Sequence, residues 1–207
     1  MDLYFAPLSC SLATRIALYE SDQPAGFHQV MLSTKRTAAG ADYLAINPKG
    51  QVPALVCDDG EVLTEGVAIL QYVADRAPAS GLAPPAGEFD RYRLQQWLNY
   101  IASELHKQVF YTLFNPAVPA EAKAFAREVA LPQRLDHLSA HLKDRAYLVG
   151  EHFTVADAYL LTALNWAAPG GVDLKRWPVL AEWHAEQLQR PAVARAVGEE
   201  FALRAAA

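Results

Sequence analysis

Cysteine and methionine are scarce in this chain, and no apolar run is long. Its 207 residues hold two Cys and two Met. Cys10 and Cys57 form neither a Cys-x-x-Cys pair nor a zinc-ligand spacing, which argues against a disulfide framework or zinc module and suits a reducing, cytoplasmic setting. No basic cluster is present: 18 Lys and Arg are dispersed among 23 Asp and Glu, for a formal charge of −5. That balance disfavours nucleic acid or an anionic membrane as principal partner and leaves a small molecule. No segment reaches the roughly 20 apolar residues of a bilayer crossing, and the opening Met1-Asp2-Leu3 does not read as a secretion signal.

What is present is a good core, with 52% of residues apolar, and a change of pattern partway along. Strand and helix periods alternate first: a strand at Leu3–Phe5, a helix at Leu12–Glu20, a strand at His28–Leu32 and a looser helical stretch at Ala38–Ile46. Two short strands follow, Ala54–Cys57 and Val62–Leu63, hinged at Asp58-Asp59-Gly60, where Gly accepts a positive φ. A helix over Gly66–Asp75, with Val67, Leu70, Val73 and Ala74 inward, completes a βαβ unit followed by a ββα unit. Pro, Gly and Ala then dominate from Ala77 to Gly87, as in a linker. Beyond it, apolar residues at three- and four-residue spacing predict helices at Phe89–Phe114, Ala120–Lys143, Thr154–Ala168, Pro178–Gln189 and Pro191–Glu199. The expected domains are residues 1–78 (α/β), a linker at 79–87, and an all-α domain at 88–207. Thr154-Val155-Ala156-Asp157 fits a capping box and is assigned to folding.

Cys10 is the first candidate for chemistry, because it stands where a strand passes through Pro7 into a helix start. Helix N-termini carry partial positive charge, so a thiol aimed at one ionises more easily; a buried structural cysteine is the alternative. In Gln51-Val52-Pro53-Ala54, a cis Pro53 would turn Val52 outward, free to pair with an extended peptide, whereas a trans turn proline would not. Glu65, just ahead of a helix, could bind an ammonium while the helix end takes the carboxylate beside it; Glu there also simply complements the dipole. Farther on, Asn99, Ser103 and His106 share a helix face with Phe110 next along it, while Leu94, Leu98, Ile101, Leu105 and Val109 form the opposite stripe. The polar face is thereby left to line a cleft.

These residues carry a resemblance. The Leu3-Tyr4-Phe5-x-Pro7-x-Ser9-Cys10-Ser11-Leu12 opening, Asn47 through Leu55, Leu63 through Ile69, Asn99 through Lys107 and Phe153 through Asp157 are similar to those of bacterial beta-class, cysteine-containing glutathione transferases. The resemblance spans essentially the whole chain. It implies a thioredoxin-like N-terminal domain, an all-helical C-terminal domain, a cytoplasmic homodimer and glutathione as co-substrate, with no metal. Cys10 would lie at the sulfur, the Val52 backbone before a cis Pro53 at the cysteinyl peptide unit, and Glu65 with Gly66 at the γ-glutamyl head. Lys35 and Gln51 would serve the opposite end, Asn99 and Ser103 would reach across from the partner subunit, and His106 would point to the sulfur.

The implied reaction is attack of the glutathione thiolate on small hydrophobic electrophiles. The helix start at Cys10, the Ser11 hydroxyl and His106 would stabilise the anion by hydrogen bonding, and Leu8, Phe110, Phe114 and Trp166 would line the acceptor pocket. Cys10 adds thiol–disulfide exchange through a mixed disulfide with glutathione. A non-catalytic transferase-like binding protein and a dedicated disulfide reductase are the alternatives. Two positions depart from the family pattern: Leu8 stands where Gly is frequent, and Gly66 where Ser is.

Overall fold

The computed structural model describes residues 1–205. It divides into two compact units: Met1–Ala83 together with the chain from Arg190 onward, and Pro84–Gln189. The first unit holds β1 (Asp2–Phe5), α1 (Ser11–Glu20), β2 (Gly26–Met31), β3 (Arg36–Thr37), β4 (Ala54–Val56), β5 (Val62–Thr64) and α2 (Gly66–Arg76). The five strands form one sheet in the order β3-β2-β1-β4-β5, with β1 parallel to β2 and the other pairs antiparallel. Central β1, which packs on α1, buries Leu3 and Phe5 and leaves Asp2 and Tyr4 half-buried, as a strand alternating in and out requires, and α1 fully buries Leu12, Ile16 and Ala17.

Three expectations for this unit change. The helical stretch expected at Ala38–Ile46 is absent: β3 pairs back onto β2, the chain turns through Gly40 at φ 87°, and only a 3₁₀ turn forms at Tyr43–Ala45. Tyr43 alone of that turn is buried, so no apolar stripe exists to fold a helix against. In α2 the inward face carries Ile69, Leu70, Val73 and Ala74, with Val67 only half-buried. Lastly, the final helix packs on α1 rather than within an 88–207 domain, and residues 206 and 207 of that range lie outside the described residues.

The second unit is helical: α3 (Phe89–Tyr100), α4 (Tyr111–Phe114), α5 (Ala120–Phe125), α6 (Leu131–Leu142), α7 (Val155–Leu164) and α8 (Pro178–Gln187). Helix α9 (Pro191–Ala205) belongs to the first unit. Between α3 and α4 the backbone winds as a π-helix over Ile101–Phe110, and again between α5 and α6 over Ala126–Ala130. With i→i+5 bonding, residues five apart fall on one side, which brings Phe110 onto the buried stripe of Leu105. Phe110 is therefore core and not the continuation of the polar face. Helix α7 is buried along its whole length and begins in the expected capping box of Thr154 and Asp157. Among the described residues no helix is long and apolar enough to cross a membrane.

Candidate active site

In the first unit the strand-to-helix passage places Cys10 at the N-cap of α1. Its thiol donates to the Val52 carbonyl at 3.2 Å, and the Val52–Pro53 bond is cis. The expectation that both backbone groups of Val52 are open to a ligand is thus half met: the carbonyl accepts from Cys10, while the N–H has no acceptor among the described residues. Gln51 exposes its side chain, and its own carbonyl is held by the Tyr43 hydroxyl at 2.6 Å and the Asn47 amide at 2.7 Å. That clamp fixes the backbone immediately before Val52.

Ser11 does not fit the part of thiolate donor. It is fully buried, and its hydroxyl is committed to Ala6 and to the Ser9 hydroxyl at 2.8 Å, so its work is to shape the turn before the helix. Lys35, in a left-handed conformation at φ 58°, donates to the Gly50 carbonyl at 2.8 Å. Glu65 occupies the N-cap position of α2 with φ 71°, and its exposed carboxylate meets the Lys49 ammonium, which also donates to Thr64 at 2.8 Å. A ligand ammonium at Glu65 would therefore compete with Lys49, a residue of the Asn47–Leu55 motif that no local pattern marks as a partner of Glu65. Gly66 shows no backbone need for glycine: a Cβ there would stand 3.7 Å from Pro53, in ordinary contact. Leu8 is half-buried at φ 59°.

The second unit gathers His106, Phe110, Phe114 and Trp166. The His106 ring lies 4.9 Å from Trp166, which meets Phe110 edge-on at 5.5 Å, and Phe110 stacks on Phe114 at 6.1 Å. Phe114 is 46% exposed, whereas Phe110 and Trp166 are buried. His106 Nδ1 lies 2.7 Å from the Tyr159 hydroxyl. Burial, aided by Lys107, pushes the imidazole down to about 4, so it is neutral at neutral pH. Tyr159 was not among the sequence candidates, although it sits two residues past the capping box. Asn99 and Ser103 are exposed, and the Ser103 hydroxyl donates to the Asn99 carbonyl at 2.9 Å. Among the described residues no cluster of His, Cys, Asp and Glu could hold a metal ion.

Cys10 at a helix start beside a cis-proline backbone, at the end of the central strand of a mixed five-stranded sheet, is an arrangement suited to thiol chemistry. Residues 9–76 match the model of the glutathione S-transferase N-terminal domain, and residues 101–191 that of the glutathione S-transferase C-terminal domain. Glutathione S-transferase GstA of Escherichia coli O157:H7 is 44% identical over 97% of this chain and 98% of its own length. A sphingomonad glutathione S-transferase complexed with glutathione superposes with a TM-score of 0.93 at 45% identity, over 97% of this chain and 99% of that one. A bacterial beta-class transferase of Sphingomonas chungbukensis does so with a TM-score of 0.93 at 42% identity, over 97% and 98%. The chain belongs to the glutathione S-transferase family. Within it, the chain is of the bacterial beta-class type.

Proposed function

We propose that this glutathione transferase joins the thiolate of glutathione to small hydrophobic electrophiles and also carries out thiol–disulfide exchange through Cys10. The observation that carries the proposal is Cys10 at the N-cap of α1, 3.2 Å from the carbonyl of Val52. A helix start favours a sulfur anion there, and the Val52 N–H is available to the cysteinyl peptide unit of a ligand. Glu65 and the α2 start suit the ammonium and carboxylate of the γ-glutamyl head, with Lys35 and Gln51 serving the other end. For conjugation the sulfur must be ionised, and a neutral His106 favours the anion as a hydrogen-bond donor without contributing a charge. The half-exposed Phe114, backed by the buried Phe110 and Trp166, offers an apolar surface for the electrophile.

In exchange, the Cys10 thiolate attacks the glutathione sulfur of a mixed disulfide, forming a Cys10–glutathione disulfide and releasing the other thiol. A second glutathione thiolate then attacks that bond, restoring Cys10 and leaving glutathione disulfide. No second cysteine is required, in keeping with the absence of a Cys-x-x-Cys pair. A cytoplasmic homodimer, with the exposed Asn99 and Ser103 serving the partner's glutathione, completes the proposal.

Cys10→Ser, compared with the parent in a conjugation assay and in a glutathione-dependent disulfide-reduction assay, tests the division of labour. A severe loss in reduction and a smaller one in conjugation is expected; equal losses would contradict it. Intact mass before and after reductant supplies the second readout, since an adduct of glutathione's mass on Cys10 identifies ligand and reactive residue together.

A further inference from the structure

The segment that delivers Cys10 to α1 closes a turn at Ala6-Pro7-Leu8-Ser9, with the Ser9 N–H donating to the Ala6 carbonyl at 3.1 Å. Proline second and a positive φ of 59° third make it a type II turn, whose third position ordinarily takes glycine. Leu8 thus holds a conformation that side-chain-bearing residues seldom adopt. Its N–H donates to Glu200 Oε2 at 2.6 Å, across 192 residues of sequence. Glu200 is fully buried on α9, and its other oxygen lies 3.7 Å from the Arg15 guanidinium of α1. Arg15 is buried in turn between the Phe5 and Phe27 rings, 4.3 and 4.2 Å from their centres. A buried carboxyl acceptor held in place by packing therefore bonds the one turn residue whose side chain opposes the turn.

We propose that Glu200 is a positioning residue for Cys10: its carboxylate holds Leu8 in the left-handed turn and so sets where the chain enters α1. Helix α9 thereby becomes part of the thiol site without touching the thiol. The residues nearest in sequence to Cys10 account for only part of the turn, since Ser9 and Ser11 satisfy Ala6 but leave the Leu8 N–H to α9. This rests on Cys10 being the reactive thiol of the function proposed above, but the test needs no glutathione, so the two can fail separately.

The rate of Cys10 alkylation by iodoacetamide at neutral pH is measured by peptide mass, which keeps Cys57 apart. Glu200→Ala is expected to slow it roughly tenfold, the scale of one lost buried hydrogen bond. In a Leu8→Gly background, where the turn no longer needs holding, the same change is expected to cost less than about twofold. Glu200→Gln, which keeps an oxygen for the Leu8 N–H, is expected to stay within about threefold of the parent. A purely structural Glu200 would give the same loss whether the turn carries leucine or glycine. An equal loss in both backgrounds, or no loss in either, overturns the proposal. Should Glu200→Ala fail to fold, amide exchange in the unaltered protein decides: a Leu8 amide protected like those of α1 supports the hold, and one exchanging at open-loop rates overturns it.

Discussion

The hydroxyl of Tyr159 lies 2.7 Å from Nδ1 of His106. When that O–H donates, the neutral ring keeps its own proton on Nε2, which makes Nε2 a donor suited to an anionic sulfur. Removing the hydroxyl releases the tautomer. Tyr159→Phe is therefore expected to lower kcat for conjugation roughly tenfold while KM for glutathione stays within about twofold. His106→Phe is expected to cost at least as much, and the double variant no more than His106→Phe alone. Additive losses in that cycle would show that Tyr159 acts by another route.

The same imidazole should leave a mark on the pH dependence of stability. Burial takes its pKa from 6.5 to about 4, so on acidification the unfolded chain binds the proton first. The stability contributed by the neutral ring is fully present above 6.5 and is lost as the pH falls toward 4. The shift corresponds to about 3 kcal/mol at most. Glu200 and Asp157, pushed by burial up to about 7 and about 6, act with the opposite sign in an overlapping window, so the difference between parent and His106→Phe isolates the histidine. Urea unfolding free energies should show that difference rising in the parent's favour from pH 4 to 6.5. A flat difference would mean that the ring titrates in the fold as it does in water.

Gly66 offers a gain of function. A Cβ there would meet only Pro53, at 3.7 Å, and nothing in the backbone calls for glycine. At the first residue of α2 a serine hydroxyl could join the backbone N–H groups on the γ-glutamyl carboxylate. Gly66→Ser should bind glutathione between about threefold and tenfold more tightly by calorimetry, with thermal stability little changed. Weaker binding would place the carboxylate elsewhere.

Local pattern made much of this molecule legible. The Cys10 helix start, the Asp58-Asp59-Gly60 hinge and the Thr154 capping box follow from residue chemistry within a few positions, whereas the cis Val52–Pro53 bond is left open by that chemistry and given by the family resemblance. What escaped depends on geometry that a fixed period cannot express. The π-winding through Ile101–Phe110 moved Phe110 from the polar face into the core, and a single buried tyrosine could not hold a helix at Tyr43. Ser11 looked like a donor by proximity to Cys10, yet its hydroxyl closes on Ala6. Long-range partners escaped too: Lys49 at Glu65, Tyr159 at His106, and Glu200 at Leu8 from a helix expected in the other unit.

Asp157 is the position where folding and chemistry are most cleanly separable. Its fully buried carboxylate accepts from the Leu148 N–H at 2.9 Å, the Thr154 N–H at 2.8 Å and the Thr154 hydroxyl at 2.7 Å. Asp157→Ala strands all three donors inside the second unit, and each buried donor left unpaired costs about 1–3 kcal/mol. Partial relaxation should hold the total near ~3–5 kcal/mol, a large share of the stability of an ordinary domain. Asp157→Asn keeps one acceptor oxygen and should lose about half as much. The bonds of Asp157 go to Leu148 and Thr154 and none to Cys10, so the fraction that remains folded should alkylate at Cys10 at the parent's rate. Urea unfolding measures the first expectation and iodoacetamide kinetics the second; slowed alkylation in folded protein would tie the start of α7 to the thiol site.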